Sequence, residues 1–155
     1  MADKEAGSVQ IRSATLRDIN DIAAIEREVM APVIYPAFFF RQALSIFGDG
    51  FLVAMRGGLP CGYLLVGKHN EDRTAAEIYS VAVAHKARGY GIGKALIDAA
   101  LDWANSNSVN TLSLTVSPEN LVALSLYRAK GFKDVEQIED YYAPGEARLV
   151  LRAEI

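Results

Sequence analysis

The chain of 155 residues is long enough for one domain that buries a core without disulfide support, and 51% of its residues are hydrophobic, as in globular proteins. Its net charge of −3 offers no basic surface and argues against a nucleic-acid partner. The single cysteine, Cys61, excludes an internal disulfide, and we expect a buried thiol on a strand. The sequence has no long apolar run and starts with acidic and polar residues, unlike a signal peptide. These features predict a cytoplasmic protein with no membrane partner.

The first half of the chain predicts a strand, two helices and a three-strand meander. "SVQIRSA" is typical of a short strand, and Ile19, Ile22 and Val29 fall near one face of a helix over "TLRDINDIAAIEREVM". Two prolines end this helix, and a second, shorter helix is predicted after Pro36. Turns rich in glycine or polar residues separate the strands of the meander, which are "FLVAM", "CGYLLVG" and "AAEIYSVAV".

The second half predicts two helices and three more strands. A helix over "GIGKALIDAALDWANS" is followed by the strand "NTLSLTV". The next helix, over "SPENLVALSLYRAKGF", is predicted to start at Ser117 as its cap and to stop at Gly131. Two closing strands flank the loop "EDYYAPGE": "FKDVEQI" and "ARLVLRAEI". The order of elements predicts a single mixed α/β domain over residues 1–155, with one interrupted central sheet.

A glycine-rich turn, "HKARGYGIG" at residues 85–93, connects the meander to the following helix. Glycine allows a ligand to approach the backbone closely, and the start of a helix offers unpaired N–H groups and a partial positive charge to an anion. Arg88 and Lys94 add positive charge on either side of the glycines. The turn is therefore predicted to bind a phosphate-type anion.

Two well-known phosphate-binding loops do not fit this turn. A Walker A loop would need glycine where Arg88 stands and a hydroxyl residue where Ala95 stands. A dinucleotide-binding loop, G-x-G-x-x-G, would end on Lys94 or Leu96 instead of glycine. A glycine-rich connection without a ligand is a further alternative, but it leaves the position of the glycines at a helix start unexplained.

A third pattern fits every position. Arg88-x-x-Gly91-x-Gly93-x-x-Leu96 resembles the acetyl-CoA signature of the GNAT superfamily of N-acetyltransferases. The superfamily's second signature is similar to "ENLVALSLYRAKGF", at Asn120, Ala123, Leu126, Tyr127, Gly131 and Phe132. The resemblance covers most of the chain and is strongest to protein N-terminal acetyltransferases of the ribosomal-protein alanine type. It implies a mixed α/β (α+β) GNAT fold: a central, mostly antiparallel sheet of about seven strands, flanked by about four helices and splayed between strands 4 and 5.

The resemblance also implies how acetyl-CoA is held. The glycine turn would bind the pyrophosphate, and the pantetheine arm would pair with the main chain of strand "YSVAV" like an added strand. The implied cofactor-binding residues lie on these two segments and in the second signature: Val81, Ala82, Val83, Arg88, Gly89, Tyr90, Gly91, Ile92, Gly93, Lys94, Asn120 and Tyr127.

Two proton transfers must accompany acetyl transfer to an amine. The amine arrives mostly protonated and needs a base, and the coenzyme A thiolate needs an acid as it leaves. By resemblance, Tyr127 is the acid. Glu77 occupies the position of the base in the superfamily's histone acetyltransferases, and we expect partial burial to raise its pKa. N-terminal acetyltransferases often have a Glu or His that acts as the base at the position of Thr115. Threonine cannot act as a base, so Glu77 or a chain of water molecules must take this role.

The acceptor is indicated by two loops that resemble the substrate loops of N-terminal acetyltransferases. "EDYYAPGEARLVL" contributes Tyr141 and Tyr142, and "VMAPVIYPAFFF" contributes Tyr35. The family's basic residue before the tyrosine pair is absent, because Glu139 and Asp140 stand there.

Three functions stay open on this evidence. A peptide or protein α-amino group is the expected acceptor. A small amine such as a polyamine or a drug-like base is an alternative, as is a coenzyme-A-binding module without catalysis. We expect a monomer or homodimer and no metal, and the sequence assigns no role to His69 or His85.

Overall fold

The computed structural model describes residues 7–155. Its helices are α1 (Ile19–Met30), α2 (Ala37–Phe47), α3 (Ile92–Ser106) and α4 (Leu121–Ala129). Its strands are β1 (Val9–Ser13), β2 (Phe51–Arg56), β3 (Leu59–Lys68), β4 (Ala75–Val83), β5 (Thr111–Val116), β6 (Lys133–Ile138) and β7 (Arg148–Glu154). The predicted order of elements is confirmed. Within residues 7–155, each helix falls short of the length and apolar character that crossing a bilayer requires.

The strands form one seven-stranded sheet in the order β1-β2-β3-β4-β5-β7-β6. The pairs β1–β2, β2–β3, β5–β7 and β6–β7 are antiparallel, and β4 pairs with β5 in parallel. The parallel pairing covers Ala75–Glu77 and residues 111–113, whereas β4 continues to Val83 and β5 to Val116. This is the mixed, mostly antiparallel sheet of seven strands that the resemblance implies, and the splay between strands 4 and 5 stays a prediction.

The chain divides into two compact units. The first comprises residues 7–66 and Tyr79–Ala100, and so contains α1, α2, most of α3 and the later part of β4. The second comprises Gly67–Ile78 and Leu101–Ile155, with the start of β4, strands β5 to β7 and α4. That residues 1–155 act as a single domain stays a prediction.

Helices cover both faces of β3 in the first unit. The buried ring of Tyr63 packs edge-on against Phe40 of α2, with centroids 5.2 Å apart. At the preceding residue, Gly62, an added Cβ would lie 3.2 Å from both Ile92 and Leu96 of α3. Because successive strand residues point to opposite faces, α2 and α3 lie on opposite sides of β3. The absence of a side chain at Gly62 lets the first turn of α3 pack closely on the strand.

An ion pair between exposed Arg12 and buried Asp18 fixes the approach to α1. Asp18, only 4% exposed, accepts two hydrogen bonds from the guanidinium of Arg12, at 2.8 and 2.9 Å. Its carboxylate also accepts a hydrogen bond from the backbone N–H of Thr15 at 2.8 Å. These bonds, first of all those from Arg12, lower the pKa of Asp18.

In the second unit, α4 begins later than predicted. The prediction of Ser117 as its cap is wrong: Asn120 is the N-cap, and its Oδ1 accepts a hydrogen bond from the backbone N–H of Ala123 at 3.2 Å. Residues 117–120 instead form a turn, in which the N–H of Asn120 donates to the carbonyl of Ser117. Serine and asparagine are about equally good caps, so the sequence does not choose between them. The predicted stop at Gly131, with φ of +94°, is confirmed.

Candidate active site

The glycine turn links β4 to α3 in the first unit. A short 3₁₀ turn, His85–Ala87, follows the strand, and α3 begins at Ile92. Gly89 and Gly91 have φ of +87° and +76°, which residues with a side chain rarely adopt. The N–H of Ala95 donates to the carbonyl of Gly91 at 3.0 Å, so the three amides before Ala95 have no acceptor within the helix. The turn therefore has the backbone form that an anion site at a helix start requires.

Positive side chains surround this turn. Arg88 and Lys94 are both exposed. Arg56, at the end of β2, places its guanidinium carbon 3.6 Å from the ring centroid of Tyr90. Its Nε is buried and has no hydrogen-bond partner within residues 7–155. Sequence reasoning missed Arg56, because no local spacing connects the β2–β3 turn to the glycine turn.

The later part of β4 leads into the turn. Ala82 is buried, whereas Val81 and Val83 are half-buried. The N–H of Ala84 donates to the carbonyl of Cys61 at 2.9 Å, which ties the end of β4 to β3. The thiol of Cys61 is free and buried, as predicted, and burial raises its pKa.

Four half-buried or exposed rings form an aromatic cluster in the first unit: Tyr35, Phe39, Phe47 and Tyr79. Tyr35 stacks on Phe39 with centroids 4.3 Å apart, and both rings lie about 6 Å from Tyr79. Phe47 lies 5.6 Å from Tyr79. The ring of Tyr79 is 46% exposed, so the cluster presents aromatic surface to a ligand.

Beneath this cluster lies a buried carboxylate that the sequence analysis did not identify. Glu26 of α1 is 1% exposed and accepts hydrogen bonds from the hydroxyl of Tyr63 and, at 3.5 Å, from the N–H of Tyr35. The Tyr63 hydroxyl also bonds Ser80 Oγ of β4 at 2.7 Å. Burial raises the pKa of both Glu26 and Tyr63. The signal was present, because Glu26 follows Ile22 by one turn and so interrupts the apolar face of α1.

In the second unit, Tyr127 lies on α4 and is 8% exposed. Burial raises its pKa to about 12, so the phenol is protonated at neutral pH and is available as a proton donor. Its ring lies 6.1 Å from Phe132, within the same signature. The side chain of Asn120, also in that signature, caps α4.

Glu77 lies at the start of β4 in the second unit, with its side chain 38% exposed. Nε2 of His69 lies 3.4 Å from its carboxylate. The N–H of His69 donates to the carbonyl of Ala75 at 2.9 Å, which holds the β3–β4 turn in place. The sequence analysis gave His69 no role, because the contact depends on how this turn folds back.

The tyrosine pair lies in the turn between β6 and β7. The rings of Tyr141 and Tyr142 meet edge to face with centroids 4.8 Å apart. The guanidinium carbon of Arg148, on β7, lies 4.6 Å from the ring centroid of Tyr142. A positive charge thus contacts the tyrosine pair, but it comes from Arg148, which follows the pair in the sequence. The residues that directly precede the pair, Glu139 and Asp140, are acidic. The carboxylate of Asp140 accepts a hydrogen bond from the N–H of Gly145 at 2.6 Å and shapes the turn.

The predicted site residues fall into two groups. The first unit contains Tyr35, Val81–Val83 and residues 88–94. The second unit contains five predicted residues: Glu77, Asn120, Tyr127, Tyr141 and Tyr142.

The sequence matches the model of a known family and is similar to named proteins. The model of the acetyltransferase (GNAT) family matches residues 15–132. A protein of Sulfolobus acidocaldarius named N-alpha-acetyltransferase is 32% identical, over 93% of this chain and 91% of the relative. One of the same name from Sulfurisphaera tokodaii is 31% identical, over 97% of this chain and 95% of the relative.

Solved structures show the same architecture. Ard1 from Thermoplasma volcanium has a TM-score of 0.87 at 23% identity, over 95% of this chain and 97% of that chain. A ribosomal-protein-alanine N-acetyltransferase from Brucella melitensis has a TM-score of 0.82 at 26% identity, over 94% and 99% of the two chains.

Proposed function

The chain belongs to the acetyltransferase (GNAT) family, and we propose that it transfers the acetyl group of acetyl-CoA to the α-amino group of a peptide or protein. It is an N-acetyltransferase, as its relatives of nearly the same length are. Acetyl-CoA is the acetyl donor of this family. The observation that carries the proposal is the geometry of the glycine turn. Gly89 and Gly91 have positive φ angles, and the turn ends directly at the first backbone amides of α3.

In this proposal the turn binds the pyrophosphate of acetyl-CoA. The backbone amides at the start of α3 donate hydrogen bonds to it, and Arg88 and Lys94 neutralise its charge. The main chain of Val81–Val83 pairs with the amides of the pantetheine arm. Asn120 is also proposed to bind acetyl-CoA, and its side-chain oxygen caps the helix that contains Tyr127.

The proposed chemistry is direct attack. The amine gives a proton to Glu77, directly or through one water, and its lone pair then attacks the thioester carbon. The attacking nitrogen then carries an excess proton, which it releases to solvent. As the C–S bond breaks, the thiolate takes the proton of the Tyr127 phenol. Glu77 gives its proton to solvent, and solvent reprotonates the phenolate. The Tyr127 phenol is in its acid form throughout the neutral range, as the second role requires. Because burial raises its pKa, the proton transfer is driven by the basicity of the departing thiolate.

The proposed acceptor is a peptide N-terminus held by Tyr35, Tyr141 and Tyr142. The names of the relatives support this choice, and the aromatic cluster around Tyr35 favours a peptide whose first side chain is apolar. A cationic small amine is a second candidate, because Glu139 and Asp140 are exposed beside the tyrosine pair. Asp140 is already engaged in shaping its turn, which weakens that alternative.

The test is release of free coenzyme A from acetyl-CoA with a panel of acceptors. The panel contains peptides with a free α-amine, peptides with a blocked N-terminus and a free lysine, and polyamines. We expect thiol release with the first class and at least about tenfold less with the others. Preference for polyamines would support the small-amine alternative, and no release with any acceptor would support a non-catalytic coenzyme-A-binding module.

Two further expectations stay predictions from the sequence: a cytoplasmic location, and a monomer or homodimer as the active form. Sedimentation with and without acetyl-CoA would determine the second.

A further inference from the structure

Glu26 is a buried carboxylate whose partners are neutral. Its two oxygens accept hydrogen bonds from the Tyr63 hydroxyl and the Tyr35 N–H. Asp18, the buried carboxylate that precedes α1, is instead paired with the guanidinium of Arg12. Burying a carboxylate with neutral partners alone is costly, and a hydrophobic side chain would fill the same space at no such cost. Packing therefore does not account for Glu26.

The contacts of Glu26 form a closed circuit through four parts of the first unit. From Glu26 on α1 a hydrogen bond leads to Tyr63 on β3, and a second leads from Tyr63 to Ser80 on β4. Tyr79, the neighbour of Ser80, has its ring 5.6 Å from that of Tyr35. The N–H of Tyr35 returns to Glu26 and closes the circuit. The circuit thus fastens the segment between α1 and α2 to β4.

We infer that Glu26 is a positioning residue for the acceptor. It holds Tyr35 and the adjacent part of β4 in the arrangement that receives the acceptor amine, and so sets the KM for the acceptor but not that for acetyl-CoA. A loop held in place before binding loses less conformational freedom when the ligand arrives. The inference rests on the proposed function only in assigning Tyr35 to the acceptor. The residues of the glycine turn are not part of the circuit.

Steady-state kinetics with a peptide that has a free α-amine and that the wild-type protein acetylates test the inference. Glu26→Leu removes both acceptor oxygens, and we expect the peptide KM to rise about tenfold while that for acetyl-CoA changes less than about twofold. Glu26→Gln keeps an oxygen that can accept the hydrogen bond of the Tyr63 hydroxyl, so its peptide KM should lie close to that of the wild-type protein. The matched control is Asp18→Asn, the other buried carboxylate, which should lower thermal stability without changing the peptide KM.

Hydrogen exchange at the Tyr35 amide gives a readout that needs no activity. Loss of its acceptor in Glu26→Leu should speed exchange at least about tenfold relative to the wild-type protein. If Glu26→Leu does not fold, Tyr63→Phe, which removes the other hydrogen bond to Glu26, replaces it in the kinetic measurement. An unchanged Tyr35 exchange rate, an unchanged peptide KM, or a glutamine variant as impaired as the leucine variant would overturn the inference. A wild-type protein that acetylates no peptide would refute the proposed function, while the exchange measurement would still test the circuit.

Discussion

The glycine turn and the aromatic cluster belong to the same unit but offer a ligand different things. The turn offers backbone amides, whose direction is fixed by positive φ angles at Gly89 and Gly91. The cluster offers side chains: the rings of Tyr35, Phe39 and Tyr79 pack against one another, and the backbone N–H of Tyr35 donates to the buried carboxylate of Glu26. A backbone site can be recognised from the spacing of glycines, because few residues can adopt its conformation. A side-chain site depends on which segments meet in space.

This difference separates the two halves of the proposed reaction. The turn is assigned to the donor that the whole family shares. The cluster is assigned to the acceptor, in which members of a family differ. Changes at the two places should therefore change different kinetic constants.

The largest expected effect comes from a residue that belongs to neither place. Tyr127→Phe keeps the ring and its packing but removes the proton donor. We expect kcat to fall about 10²- to 10⁴-fold, with the affinity for acetyl-CoA and the peptide KM unchanged. Stopped-flow or steady-state kinetics with calorimetry of acetyl-CoA binding would check this. A near wild-type kcat would make Tyr127 a core aromatic residue only.

Glu77→Gln should give a loss that depends on pH. A peptide α-amine has a pKa near 8, so a base is needed most at low pH, where the free amine is scarce. We expect kcat/KM to fall about 10²-fold at pH 6, with the loss shrinking as the pH rises through about 8. A profile from about pH 6 to 9.5 is the measurement. A uniform loss at every pH would mean that Glu77 only shapes the site.

Gly91→Glu should affect the donor alone. It places a side chain and a negative charge at φ of +76°, where the pyrophosphate is proposed to bind. We expect the acetyl-CoA affinity, measured by calorimetry, to fall about 10- to 100-fold. Gly145→Glu is the matched control, because it adds the same charge at φ of +82° in the other unit. Equal losses in both variants would point to backbone strain instead of charge.

The smallest expected effect concerns stability. Because burial raises the pKa of folded Glu26, the wild-type protein loses stability as the pH rises above the unfolded value near 4.3. Glu26→Gln removes this titration, so its Tm relative to wild type should increase with pH by a few degrees. Asp18→Asn should show the opposite dependence, because the pKa of Asp18 is lowered in the folded protein. The variant should have a lower Tm than the wild-type protein at neutral pH. This difference in Tm should shrink as the pH falls below about 3.9, where the wild-type protein loses the stability that ionised Asp18 contributes. Parallel profiles for the two variants would contradict this account.

The sequence predicted what depends on local geometry. The element order, the glycine turn and the stop of α4 at Gly131 all follow from short patterns that few backbone conformations satisfy. The start of α4 was predicted three residues too early, because Ser117 and Asn120 are equally suitable caps and only packing selects one.

The acceptor side could be predicted only in part. Tyr35 was identified by resemblance, but its contacts come from separate segments: Glu26 on α1 accepts a hydrogen bond from its N–H, and the ring of Tyr79 on β4 lies against its own. Arg56 over Tyr90 and His69 beside Glu77 were missed for the same reason. Such contacts are set by the tertiary fold, and a pattern within one segment does not contain them.

The most direct test of the central claim uses one peptide that offers two amines, a free N-terminal α-amine and the side chain of an internal lysine. The first residue of this peptide has an apolar side chain. The peptide is incubated with the enzyme and acetyl-CoA, and fragmentation mass spectrometry locates the acetyl group. The account predicts acetylation of the α-amine, slowed about 10- to 100-fold in Gly91→Glu at limiting acetyl-CoA and about 10²- to 10⁴-fold in Tyr127→Phe. Acetylation of the lysine side chain instead, or α-amine acetylation that both variants leave at the wild-type rate, would contradict it.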